Sequence, residues 1–209
     1  MADEWFRSSS WTPVAREDFE RRLRRARERS RPQYLRIKAL ALHVAGNDEA
    51  ATQLFARIIA EYAEPASEVA FAYEKRGDLF RSRGLAAEAE ASYRAAITVA
   101  PTLSGTTGEV HLALAEVLLE RDGVAAQAEV ESLLADARPH LSFNSTIFRW
   151  HVLRARLAAV LGDLEAQRSA AHDALAIVGV DPQLPRHPTV VLAQPTPELV
   201  AELEQLARA

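Results

Sequence analysis

This chain predicts an all-α fold assembled from stacked helix pairs, and three observations carry the prediction. Gly46, Gly84, Gly123 and Gly162 recur at spacings of 38, 39 and 39 residues, and a fixed period in that range marks a repeat array. Each glycine separates two stretches with helical periodicity, such as DEAATQLFARIIAEY following Gly46 and AAEAEASYRAAITVA following Gly84, so the unit is two helices joined by a tight turn. The 10 prolines fall almost entirely at helix starts or between helices, where a missing N–H is tolerated. A single pair cannot bury its apolar face alone and must stack on its neighbours.

The elements follow in order. Residues 1–11 hold Trp5, Phe6 and Trp11, and Thr12-Pro13 reads as an N-cap with proline in the first turn. The helix that follows is expected to run to about Arg29, with Phe19, Leu23 and Ala26 as its apolar stripe. From Arg16 to Arg31 it carries eight Arg and four acidic residues. Pro32 opens the first pair: a helix over about 32–45 with Leu35, Ala39 and Leu42 on one face, then Gly46-Asn47, then a helix capped by Asp48 and running to about Tyr62. The second pair covers about 68–83 and 86–100 and stops at Pro101. Thr106 and Glu109 have the spacing of a capping box at the head of a helix ending near Arg121, and its partner helix covers about 124–138. The fourth pair covers about 144–161 and 163–178, with Asn144-Ser145-Thr146 read as an N-cap rather than a glycan acceptor. Residues 179–195, with Pro182, Pro185, Pro188 and Pro195, are expected to be extended. Thr196-Pro197 starts a last helix with Leu199, Leu203 and Leu206 on one stripe, suited to cap the array. The chain thus divides into an aromatic and Arg-rich start at 1–31, four pairs over 32–178, and an end at 179–209.

Composition narrows the function classes. The absence of cysteine excludes disulfides, thiolate nucleophiles and Cys-ligated zinc. A net charge of −4 argues against general nucleic-acid affinity. The N-terminus lacks a basic and apolar leader, and no apolar run approaches the roughly 20 residues of a membrane span, so a cytoplasmic chain with no membrane partner is expected. The six histidines show no metal-ligand spacing, Ser8-Ser9-Ser10 lacks nucleophile-elbow glycines, and Gly105-Thr106-Thr107-Gly108 lacks the lysine of a phosphate loop. No enzyme, cofactor or metal site is expected.

Residues 70–103 resemble a tetratricopeptide (TPR) repeat, a helix–turn–helix of about 34 residues. Tyr73, Gly77 and Phe80 fall where the family places bulky, small and bulky residues in its first helix, and Ala89, Tyr93, Ala96 and Pro101 match its second helix. The other pairs match through Leu35, Ala39, Leu42, Gly46, Ala51 and Phe55, through Ala115, Leu118 and Ala128 if the third turn is one residue longer, and through Ala155, Gly162 and Ala174. The resemblance implies a TPR-like α-solenoid of four repeats over 32–178, with an extra N-terminal helix and a C-terminal capping helix, and with the first helix of each pair lining a concave face.

That resemblance also implies which residues meet a partner chain. They are Gln33, Arg36, Leu40 and His43 in the first repeat; Phe71, Glu74, Asp78 and Arg81 in the second; Glu109, Leu112, Glu116 and Leu119 in the third; and Arg149, Val152 and Arg156 in the fourth. Carried over, they make a groove acidic in the middle and basic at both ends, suited to a protein or extended peptide with a basic centre; the alternative is a solvated helix face. The clamp by which some members hold chaperone C-termini is not matched, because Arg36, Leu40, Lys75, Gly108 and Leu112 supply only part of the charge and none of the asparagines. The Arg-rich helix offers a second function, contact with the phosphates of a nucleic acid, against a capping helix whose acidic residues neutralise it. Trp5, Phe6 and Trp11 either plug the first pair or anchor a partner. Val190 to Leu192 either dock on their own chain or pair with another.

Overall fold

A computed structural model describes residues 4–103, 105–180 and 193–209. The regular elements among these residues are all helices, with no strand. The chain divides into two compact units, 1–110 and 111–209.

In the first unit, α1 (Pro13–Arg25) starts where Thr12 accepts the Ala15 N–H, and it buries Phe19 and Leu23. It is shorter than its charge pattern suggests. Ala26 turns extended, and the Arg31 guanidinium donates to the carbonyls of Ala26 and Arg24 at 3.2 and 3.1 Å, closing the C-terminus with a side chain. A 3-10 turn (Glu28–Ser30) leads into α2 (Arg31–Val44), followed by α3 (Asp48–Glu61), α4 (Ala66–Ser82) and α5 (Ala86–Val99). Each of these helices packs on the next, and α2 also packs on α4. The cap of α3 is Asn47, whose side chain accepts the Ala50 N–H; Asp48 instead meets His43. The core joins Phe19, Leu23, Leu35, Leu42, Phe55 and Ile58 with Val69 and Leu79.

The two-helix turn is closed as its glycines require: Gly46 and Gly84 have φ of 79° and 74°, a left-handed conformation that other residues adopt only with strain. Gly77 has a different reason. A Cβ there would lie 2.6 and 2.8 Å from Tyr93 ring carbons, so only glycine lets α4 and α5 approach. Tyr93 is fully buried, and its hydroxyl donates to Asp78 at 2.9 Å.

In the second unit, α6 (Val110–Asp122) is buried along its entire first part, residues 110–119. Its sequence is apolar on every side, which is how a fully enclosed helix reads. The capping box expected at its head does not form. The Thr106 hydroxyl donates to the Leu103 carbonyl and accepts from Gly108 N–H, and the helix begins after Glu109. A 3-10 turn (Gly123–Ala126) then precedes α7 (Gln127–Ala137), which is the longer third turn the sequence needed. After α8 (Asn144–Leu161) and α9 (Leu164–Ile177) comes α10 (Pro197–Arg208), capped by Thr196. Asn144 is the first residue of α8 rather than its cap, and Thr146 donates to the Phe143 carbonyl. Helix α9 packs on α8 and on α10, burying Ala170, Ala171 and Ala174 against Phe148, Val152 and Leu203. The expected extended segment falls largely in 181–192, and the reading of Val190 to Leu192 lies there too, outside the described residues.

Candidate functional site

The residues assigned to a ligand-facing surface sit on α2, α4, α6 and α8, the first helix of each pair, except Glu109, which lies just before α6. In the first unit the Arg36 side chain on α2 donates to Glu68 on α4 at 2.6 Å, and its guanidinium lies 5.2 Å from the Phe71 ring centre. Phe71, half-buried, has Lys75 on it as well and packs 6.5 Å from Phe55. Asp78 accepts from Lys75 at 2.7 Å and from Tyr93. His43 is exposed and lies 2.6 Å from Asp48. Arg81 and Glu109 are both half-buried.

Glu74 does not stand open in this surface. It is 2% exposed, and its carboxylate accepts from both the backbone N–H (2.8 Å) and the hydroxyl of Thr107. Burial pushes its pKa up, opposed by Lys75 and by the Thr107 hydrogen bonds. In the second unit Glu116 is likewise buried, at 8% exposure, and accepts from Arg149 on α8 at 2.5 Å. Leu112, Leu119 and Val152 are buried with it. Arg156 donates twice to Glu202 on α10, at 2.7 and 2.8 Å. That pair holds the Glu202 carboxyl below its ordinary range and raises the guanidinium.

Several of the charges expected to form an acidic centre with basic ends have partners within the chain. Arg36 to Glu68, Glu74 to Thr107 and Glu116 to Arg149 are separated in sequence by 32, 33 and 33 residues. What stays accessible is more apolar. In the first unit a cleft of about 590 Å3 is lined by Ile37, Leu40, Ala41 and Val44 with Arg7, Gln33 and Arg36 around it, and Val44 is 86% exposed. In the second a cleft of about 420 Å3 is lined by Leu119, Leu153, Val160 and Leu206 beside Glu120, Arg156 and Glu202.

Trp5, Phe6 and Trp11 pack back on their own unit. Trp5 lies 5.2 Å from Phe19 and 5.3 Å from Tyr34, Phe6 stacks on Tyr34 at 4.8 Å, and Trp11 meets Phe19 at 5.7 Å. Lys38 fastens this segment, and the sequence reading missed it. It is 1% exposed, donates to the Ser8 and Ser10 carbonyls at 2.5 and 2.9 Å, and sits over the Trp11 and Phe19 rings. Burial lowers its pKa. The signal was its register, three residues after Leu35 and four before Leu42 on the buried face of α2.

No group of three or more metal-ligating side chains occurs among the described residues, and no helix among them is long and apolar enough to cross a membrane. No protein-family model matches the chain, and no curated protein matches it either.

Proposed function

We propose that this chain is a TPR-like protein-interaction module, an adaptor or regulatory subunit without enzymatic activity, whose partner chain lies along the face presented by the first helix of each pair. The observation that supports it is the ladder of contacts from one helix pair towards the next, Arg36–Glu68, Glu74–Thr107 and Glu116–Arg149. These link α2 to α4, α4 to the loop before α6, and α6 to α8, as expected if neighbouring repeats build an extended binding surface. Because the ladder occupies Arg36, Glu74, Glu116 and Arg149, the partner is held chiefly by apolar anchors in the Ile37/Leu40/Val44 cleft and the Leu119/Leu153/Val160 cleft. The exposed Glu120 and Gln33 supply polar selection at the edges.

The test is quantitative mass spectrometry of what the tagged chain retains from its host's lysate, beside Val44→Asp and Val160→Asp variants. Both positions are exposed, so neither change disturbs the core. A partner that falls about tenfold in one or both variants, a loss typical of an interface anchor, supports the reading. A partner retained equally by all three proteins refutes the location of the site.

A further inference from the structure

The Arg-rich start of the chain retains positive charge that the fold does not use. Of the acidic residues interspersed with it, Asp18 accepts from Arg21 and Arg22, and Glu20 accepts from Arg57 on α3 at 2.6 Å. Arg31 is held by backbone carbonyls. The side chains of Arg24, Arg25, Arg27 and Arg29 are exposed and make no hydrogen bond or ion pair among the described residues. Cations favour a helix C-terminus, each by about 0.3–1 kcal/mol, which accounts for Arg24 and Arg25 at the end of α1. It does not account for Arg27 and Arg29, which lie beyond it. Nor does packing require these side chains, since Phe19 and Leu23 fasten α1.

Beside this cluster lies a cleft of about 430 Å3 lined by Trp11, Pro13, Arg16, Glu17, Glu20 and Arg24. The Arg16 guanidinium lies 5.8 Å from the Trp11 ring centre. A cleft with Trp11 and Pro13 as its apolar wall and an arginine on the tryptophan, next to unpaired guanidinium groups, has the Trp and Arg content of a protein-binding hot spot.

We propose that the outer face of α1 and the corner that follows it bind an acidic amphipathic protein segment. Its carboxylates pair with Arg24, Arg25, Arg27 and Arg29, and one apolar side chain enters the cleft beside Trp11 and Arg16. Guanidinium forks match carboxylates in bidentate geometry. The unpaired Glu17 and Glu28 interrupt the cluster, and the chain as a whole carries a net charge of −4. Both oppose a continuous polyphosphate and are tolerated by a segment that presents charge at selected positions. This surface shares no lining residue with the clefts on α2, α6 and α8.

The test uses the full chain and fluorescence anisotropy at physiological salt. One probe is a short labelled peptide of Glu and Leu patterned as an amphipathic helix; the other is a labelled oligo-dT of equal length. Saturable peptide binding is expected, weaker by about tenfold or more in the Arg24/Arg25/Arg27/Arg29→Gln variant as several exposed ion pairs are lost together. A loss of a few-fold is expected in Arg16→Gln, with circular dichroism unchanged in both. Absent peptide binding, equal affinity in the fourfold variant, or oligo-dT binding as tight as the peptide's would each overturn the proposal, the last by assigning the surface to nucleic acid.

Discussion

Gly77 offers a direct test of how the second helix pair is packed, because two well-known effects oppose each other there. In an exposed helix, Gly→Ala stabilises by roughly 0.5–1 kcal/mol. At Gly77 the added methyl would stand 2.6 Å from Tyr93 Cε1 and 2.8 Å from Cδ1, well inside contact distance. The ring has nowhere to go: Tyr93 is 0% exposed and its hydroxyl is tied to Asp78. Overpacking a core costs about 1–3 kcal/mol, and a displaced hydroxyl forfeits a further 0.5–1.5 or so. The net expectation for Gly77→Ala is a loss of about 2 kcal/mol, which at this chain length lowers Tm by roughly 4–8 °C. Differential scanning calorimetry and urea titration measure it. The Gly77→Ala/Tyr93→Leu double variant separates the steric effect from any other, because a smaller side chain opens the space. The double variant should then be less destabilised than the sum of the singles by about 1 kcal/mol or more, the size of coupling expected between touching residues. A Tm that rises in Gly77→Ala, or strictly additive costs, would refute the claim that glycine is there for close approach.

Two other outcomes follow from buried titratable groups. Glu74→Gln keeps an acceptor for the Thr107 N–H and removes a buried charge, so its stability should stay within about 1 kcal/mol of the parent, whereas Glu74→Ala should lose about 1–2 kcal/mol because Thr107 loses both bonds; equal melting of the two variants would show that the carboxylate does not hold the 105–109 loop. His111 and His151 are pushed below the ordinary histidine pKa by burial, against the pull of Asp136 and Asp173, so the unfolded chain binds their protons more readily, and their contribution falls as pH drops below about 6.5. Thermal melts should therefore show an acid-side loss that is reduced in the His111→Phe variant, and an unchanged pH profile in that variant would remove His111 from the explanation.

Much of the fold was legible because local chemistry and tertiary packing agree. The glycines fixed the turns, Thr12-Pro13 and Thr196-Pro197 fixed two helix starts, and the pairing of Gly77 with Tyr93 was readable from small and bulky residues at helical spacing. Where the reading failed, a residue had a choice of partners that local spacing does not decide. Thr106 and Glu109 have capping-box spacing, yet the Thr106 hydroxyl turns back to Leu103, and the neighbouring Thr107 is drawn to Glu74 across 33 residues. Asn47 outcompeted Asp48 because Asp48 found His43. The end of α1 was overestimated since its Arg-rich continuation retains helical propensity while its apolar stripe runs out at Leu23.

That the candidate side chains other than Glu109 lie on the helices opening each pair was legible, the burial of the charged Glu74 and Glu116 was not, and the difference is a matter of desolvation. A carboxylate on the inner face of a repeat reads from sequence as a charge awaiting a ligand. Packing the helices takes it out of water, and a buried charge must then find a partner within the chain. Glu74 finds Thr107 and Glu116 finds Arg149, each 33 residues further along. The same argument applies in reverse to side chains that packing leaves in water, such as Val44, Glu120 and the arginines from 24 to 29: the fold neither neutralises nor buries them, and the proposed partner surfaces rest on these.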